Sequence, residues 1–321
     1  MQYKNRALRV LALVLALLLM TACSTQKRIR FGAAALGGNY HAFAQSLSSV
    51  LASEADIETE VRATAGSAAN IRLLDEDYIR LGLAQSDVIS NMYYATGNFT
   101  NQEPRTGYSA VAGLYTEACQ VVVRAESGIT SIRDLRGKTV SVGESESGTE
   151  QNAMEILAAY GLSGSMVTTV NKDYADAAES LKAGEIDALF CTVGVPTPVV
   201  ASLAETCPIA LLPIDGTEAD ALQESYGYYA TYIVPAGTYT GQTEAVSTLG
   251  VKSVLLASDK LSADTVERIT QTLFANAGTL SYAIPVDFSL TVQSATEDIP
   301  IPFHSGAAAY YEAQGISVPT K

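Results

Sequence analysis

Apolar and polar positions along the chain fall into short β-rich runs that alternate with stretches of helical period. Ile29-Arg30-Phe31-Gly32 is the first run, and a glycine turn, Gly37-Gly38-Asn39, follows it. Phe43, Leu47, Val50 and Leu51 then recur on one helical face, with Asn39 placed as the N-cap. Residues 57–63 alternate as a second strand and lead into Thr64-Ala65-Gly66-Ser67 and another helix start. Leu81-Gly82-Leu83-Ala84 is a third strand, and Gln85-Ser86-Asp87 turns it into the next helical stretch. Strand, small polar turn and helix, repeated in this way, predict a parallel sheet with helices packed on its faces. Ligands of such sheets gather beyond the carboxyl ends of the strands, where these turns converge.

The same unit is clearest at residues 138–162. Thr139-Val140-Ser141-Val142 reads as a buried strand, and residues 143–148 form a loop of Gly, Ser and Glu. Ser147 and Glu150 have the spacing of a reciprocal capping box, and Ala153, Ile156, Leu157 and Tyr160 give the helix one apolar face. Gly161 stands where a C-cap glycine belongs. The unpaired N–H groups and positive dipole end of such a helix suit an anion, most simply a carboxylate. An ordinary well-capped βα turn has the same residues, and this loop alone does not separate the two.

Residues 110–115 and 120–124 read as two strands nearly end to end, a crossover from a first lobe to a second. Ser131-Ile132-Arg133-Asp134-Leu135 is a short capped helix. Further strands are expected at 166–170, 188–191 and 209–212, with a helix through Ala178 and Leu181. Prolines stiffen the loop Thr192-Val193-Gly194-Val195-Pro196-Thr197-Pro198 into a wall. Residues 246–256 read as a strand returning to the first lobe's sheet. A helix from Ser262 presents Val266, Ile269 and Leu273, and Ala307, Tyr310 and Tyr311 mark a last short one.

The first 23 residues stand apart. Lys4, Arg6 and Arg9 precede an apolar run from 10 to 20 that is short for a membrane span, the pattern of an export signal. Leu19-Met20-Thr21-Ala22-Cys23 resembles a bacterial lipobox, which makes Cys23 a lipidation site, with 24–28 as a polar tether. The remaining length implies two lobes, 29–120 with 222–321 and 121–221. The chain carries 20 basic and 34 acidic residues, a net charge of −14, or about −17 without Lys4, Arg6 and Arg9. That balance argues against nucleic acid and requires any anion site to work through local groups. Cys119, Cys191 and Cys207 match no zinc spacing and read as buried thiols. No metal or cofactor is expected.

Several pieces together resemble one family. They are Asn39-Tyr40 after the double glycine, Gln85-Ser86-Asp87, Leu114-Tyr115-Thr116-Glu117, Val122-Val123-Arg124 and the loop from Ser141 to Thr149. Val195-Pro196-Thr197-Pro198, Pro235-Ala236-Gly237-Thr238-Tyr239 with Gly241-Gln242, and Pro302-Phe303-His304-Ser305-Gly306 complete the set in family order. The chain is similar to the TAXI family, the solute receptors of TRAP transporters. It departs at the first turn, where Ala34-Ala35-Leu36-Gly37-Gly38 replaces the family's Gly-Thr-Gly-Gly.

The resemblance implies a two-lobed α/β periplasmic-binding-protein fold of type II, with a small carboxylate held between the lobes. Glutamate or a related amino acid is the best single guess. It also implies an extracytoplasmic, lipid-anchored monomer that delivers its solute to an ion-gradient-driven membrane permease. Residue by residue, it points to Gly38, Asn39 and Tyr40, to Thr64, Gly66 and Ser67, and to Gln85 and Ser86 in the first lobe. In the second lobe Ser147, Gly148 and Thr149 face the carboxylate, and Val193, Gly194 and Pro196 form the wall. Tyr115 and Glu117 stand as a stacking surface and an ammonium acceptor, or as a core tyrosine and a solvated acid. Tyr239 either closes over the site or packs between the lobes, and Arg124 either pairs with a ligand carboxylate or, as is commoner just after a strand, makes a surface ion pair.

A receptor for an ABC-type importer or a sensor has the same fold, and neighbouring genes separate these readings. An exported hydrolase fits poorly: His41 and His304 lie at opposite ends of the chain and no Gly-x-Ser-x-Gly elbow is present.

Overall fold

The computed structural model describes residues 28–36, 38–286 and 288–321. The export signal, Cys23 with its lipobox and most of the tether lie outside the described residues. Strands β1 (Ile29–Gly32), β2 (Thr59–Arg62) and β3 (Leu81–Gln85) pair in parallel, with β1 in the middle. Each is followed by a helix: α1 (Asn39–Ala55), α2 (Ser67–Asp75) and α3 (Ser86–Tyr94). The apolar stripe Phe43, Leu47, Val50 and Leu51 of α1 is buried, as its period requires.

Strand β4 (Tyr108–Arg124) runs unbroken for 17 residues, where the sequence reading separates two strands. The intervening residues 116–119 stay extended because strands flank β4 there, as described below. The second lobe then repeats the strand–helix unit: β5 (Thr139–Ser141), α4 (Gly148–Ala159), β6 (Thr168–Val170), α5 (Tyr174–Ala183), β7 (Ala188–Val193) and α6 (Pro198–Thr206). Next come β8 (Ile209–Leu212), α7 (Gly216–Ser225), β9 (Ala230–Val234) and β10 (Val246–Ser258). Helices α8 (Ala263–Ala275), α9 (Ala277–Ser281), α10 (Val292–Thr296) and α11 (Ser305–Ala313) complete the described chain.

All strands join one mixed, curled sheet in the order β2-β1-β3-β10-β4-β7-β5-β6, with β8 added to β4 and β9 to β10. β10 is antiparallel to both β3 and β4, and β4 is antiparallel to β7. The apolar core divides along these two long strands. One cluster gathers Phe31, Leu83, Tyr115, Leu255, Ile269 and Tyr311. Beyond Tyr115 the chain feeds two others, around Val121, Ile156, Phe190 and Tyr229, and around Val122, Leu181 and Leu203. Leu222, Tyr229 and Leu249 belong to the second lobe's core, not to the first lobe that the sequence reading gives them. The cause is β9, which pairs antiparallel with the opening of β10 and keeps that segment on the second-lobe side until Val254.

Arg124 makes no ion pair among the described residues. It is half-buried, and its Nη1 donates to the carbonyls of Leu181 (2.6 Å), in the last turn of α5, and of Ile186 (2.9 Å), just beyond it. Cys119, Cys191 and Cys207 are buried free thiols. Ser147 caps α4 by accepting from Glu150 N (3.0 Å), but the Glu150 carboxylate accepts from Glu146 N, so the expected box closes on one side only.

A buried polar network joins the lobes. Asn152 Nδ2 on α4 donates to Asp87 Oδ2 on α3 (2.7 Å) and to the hydroxyl of Tyr229 (2.9 Å). Tyr229 donates to Glu155 Oε2 (2.7 Å), and Asn91 and Tyr228 both donate to Glu155 Oε1. Burial, with the Glu155 charge second, pushes the Asp87 carboxyl up to about 8, and burial also holds Glu155 above its ordinary range. Asp87 Oδ1 and Asn152 Oδ1 are buried acceptors without a donor, so a proton on Asp87 turns one of them into a donor.

A carboxyl raised on folding stabilises the native state most below its unfolded value, and that stability is lost as pH rises through the folded value. Melting temperature should therefore fall between about pH 4 and pH 8, with Asp87 alone accounting for roughly 1.4 kcal/mol per pH unit over that window. Asp87→Asn keeps an acceptor for Asn152 and should flatten that decline. Identical pH profiles for the variant and the natural chain, measured by calorimetric melting, would exclude this role.

Candidate functional site

The carboxyl ends of β1, β2 and β3 meet those of β5, β6 and β7 across a cleft. An inner cavity of about 60 Å³ lies there, and an outer vestibule of about 550 Å³ shares part of its wall. The inner volume holds only a few water-sized groups, so it fits the head of a small solute.

The first wall is the turn after β1. Ala34, in the left-handed region at φ 56°, donates its N–H to Thr64 Oγ1 (3.0 Å), and Thr64 in turn donates to Asn70 Oδ1 (2.7 Å). Thr64 thus ties the first two turns together while lining the vestibule. Gly38, not Asn39, is the N-cap of α1, and Asn39 is drawn into the first helical turn. The Asn39 side chain is 3% exposed and lines both cavities, and its Nδ2 has no partner. Gly66 caps α2 at φ 131°, a backbone that a side chain would strain, and Ser67 Oγ accepts from Gln85 N (3.1 Å).

Gln85 and Glu117 form the floor. Gln85 Nε2 donates to Glu117 Oε2 (2.8 Å) and, across the cleft, to the carbonyl of Thr192 (3.3 Å). Tyr40 donates to the same Oε2 (3.1 Å). Glu117 is 3% exposed, and burial pushes its carboxyl up to about 8 against the two hydrogen bonds that favour the ionised form. Gln85 Oε1 is a buried acceptor without a donor.

The facing wall comes from the second lobe. Ser147, Gly148 and Thr149 open α4, and Thr149 Oγ1 accepts from Thr192 N (3.1 Å) and bonds the Tyr174 hydroxyl (2.6 Å). A Cβ at position 148 would fall 1.7 Å from Gln85 Oε1, so only glycine lets the lobes approach this closely. Glu144 and Asp173 line both cavities, and burial, then the charge of Asp173, hold the Glu144 carboxyl above its ordinary range. At the rim Arg72 forks onto Glu146, with Nε to Oε1 at 2.8 Å and Nη2 to Oε2 at 2.9 Å, and Ala69 N donates to the Glu146 carbonyl (3.1 Å). These bonds across the mouth hold the lobes in a closed arrangement.

Of the residues expected from the sequence, Gly38, Asn39, Tyr40, Gly66, Ser67, Gln85, Glu117, Ser147, Gly148, Thr149 and Val193 line the inner cavity, and Thr64 lines the vestibule. Five stand elsewhere. Ser86 Oγ accepts from Lys252 N (3.2 Å) and braces α3 against β10. Tyr115 packs edge-on against Phe288 in the core. Tyr239 donates to Gln120 Oε1 (2.5 Å) and accepts from Thr197 N (3.0 Å), which fixes the proline loop from behind. Pro196 follows a cis peptide within that loop, and Gly194 backs onto Asn39 Nδ2 and Val286 without lining either cavity.

Glu144, Asp173, Tyr174 and Thr192 line the cavity but were not expected there. Asp173 caps α5 by accepting from Asp176 N (2.8 Å), so it and Tyr174 occupy one more strand–turn–helix junction, a signal present in the sequence. No Lys, Arg or His lines either cavity among the described residues. His304 caps α11 by accepting from Gly306 N (3.2 Å).

Two solved structures share this architecture. The periplasmic binding protein BugD superimposes with a TM-score of 0.53 at 12% identity, over 80% of this chain and 85% of its own. MatC from Rhodopseudomonas palustris, solved with malate bound, gives 0.52 at 12% identity over 88% of each chain. At that identity the likeness establishes the fold, a periplasmic-binding-protein fold, and leaves the solute open. The model of the NMT1-like family matches residues 31–315, nearly all of the described chain, and by that match the chain belongs to the NMT1-like family.

Proposed function

We propose that this protein is an extracytoplasmic solute receptor that captures an α-amino acid or similar small carboxylate and presents it to a membrane permease. The observation that carries this reading is the pair of unsatisfied groups inside the cleft. Asn39 Nδ2 needs an acceptor and Gln85 Oε1 needs a donor, and both are buried in the same cavity wall. Leaving buried polar groups unpaired costs about 1–3 kcal/mol each, a cost that a bound solute removes. An amino acid supplies both complements, a carboxylate to accept and an ammonium to donate. The N-terminus of α4 adds backbone N–H groups on the carboxylate side, and Glu117 is placed to take the ammonium.

The motifs shared with the TAXI receptors support a TRAP permease as the partner, and the lipobox supports tethering to a membrane through Cys23. An ABC-type importer uses a receptor of the same fold. A gene for a fused multi-spanning permease beside this one favours the first, and a gene for an ATPase favours the second.

Thermal melting of solute-free protein with a panel of L-amino acids and small organic acids tests the reading. A cognate solute at a hundred times its Kd should stabilise the protein by roughly 2.7 kcal/mol. A panel that leaves the melting temperature unmoved speaks against the reading.

Glu117 adds a pH signature. Free, it keeps its proton up to about pH 8, whereas a neighbouring ammonium favours the carboxylate, so binding should release a proton. Affinity should rise between pH 6 and pH 8 by up to about tenfold per unit. Glu117→Gln should weaken binding and remove that dependence. Calorimetry in buffers of different ionisation enthalpy reads the released proton directly, and its absence would rule out an ammonium at Glu117.

A further inference from the structure

The charge of the cavity walls narrows the solute further, on the footing of the receptor reading above. Glu117, Glu144 and Asp173 all line the inner cavity, and Glu144 and Asp173 continue into the vestibule. No basic side chain lines these cavities among the described residues; Arg72, across the mouth, is already engaged bidentately by Glu146. The rest of the vestibule is largely apolar, with Leu36, Val193, Pro198 and Val199 among its walls.

An amino acid bound with its carboxylate toward Asn39 and the start of α4 gives the buried, unpaired Asn39 Nδ2 an acceptor. Its side chain must then leave through the junction held by Glu144 and Asp173. A second carboxylate at that point meets two like charges and no cation, in a half-buried place where screening by water is reduced. We infer that the receptor selects solutes whose side chain is neutral or cationic, and that Glu144 and Asp173 are the residues that exclude acidic ones. This moves the expected ligand away from glutamate.

Glutamine and glutamate have nearly the same shape and differ by one charge, so calorimetry with this pair, plus norleucine and lysine, isolates the effect. The best neutral or cationic member should bind the purified, solute-free receptor about tenfold more tightly than glutamate, or better. The double variant Glu144→Gln, Asp173→Asn should narrow that gap, chiefly by strengthening glutamate binding. Asparagine caps a helix as well as aspartate does, so α5 keeps its start, and circular dichroism of the variant verifies the fold. Glutamate binding as tightly as glutamine in the natural chain, or a ratio that the double variant leaves unchanged, overturns the inference while the receptor reading stands. A receptor that melts normally and binds no amino acid at all removes both.

Discussion

Everything in this molecule hangs on the antiparallel pairing of β4 with β10. These strands of 17 and 13 residues run through the middle of the sheet, and each contributes to the cores of both lobes. Ladder bonds alone make this pairing rigid along its length. The register shifts between Lys252 and Val254 and between Leu255 and Leu256 are where the ladder bends and its twist increases. Glu117 lies on β4 opposite Val251, just before the first of these irregularities, so the floor of the cleft is built on a strand paired on both sides. The walls come from turns that the lobes carry. The floor thus lies between two walls that different parts of the chain supply.

The second theme is negative charge kept where it is costly. Glu117 in the cleft, and Asp87 with Glu155 behind it, are carboxyls without a basic partner, raised by burial instead of lowered by ion pairs. They are surrounded by amides and hydroxyls: Gln85 and Tyr40 in one case, Asn91, Asn152, Tyr228 and Tyr229 in the other. Such groups bond a carboxyl in either protonation state, which a lysine or arginine does not allow. The proton count of the interior is therefore free to change with what the cleft holds, and the net charge of the surface has little say in it.

Much of this was legible in the sequence because it rests on local rules. The three opening strand–turn–helix units, the run Ser147-Gly148-Thr149 and Gln85 are all dictated by period and cap chemistry, and all fall on the cleft. What was not legible depends on tertiary neighbours. Residues 116–119 read as a break between strands because Thr, Glu, Ala and Cys have no alternation of their own. Pairing with β10 and β7 on either side holds them extended. Tyr239 and Ser86 carry the right chemistry, but their hydroxyls are spent on the proline loop and on β10. Glu144 and Asp173 hid because each stands in a polar turn before a helix, where nothing local marks which side chain turns into the cleft. The placement of residues 222–251 turned on which half of β10 pairs with β9, a register that no local pattern encodes.

A single amide nitrogen, Nε2 of Gln85, holds the floor carboxyl of one lobe and a backbone carbonyl of the other. The floor of the cleft and the contact between the lobes thus draw on the same nitrogen. Losing that one amide would strip a donor from the floor carboxyl and a tie between the two halves in a single step.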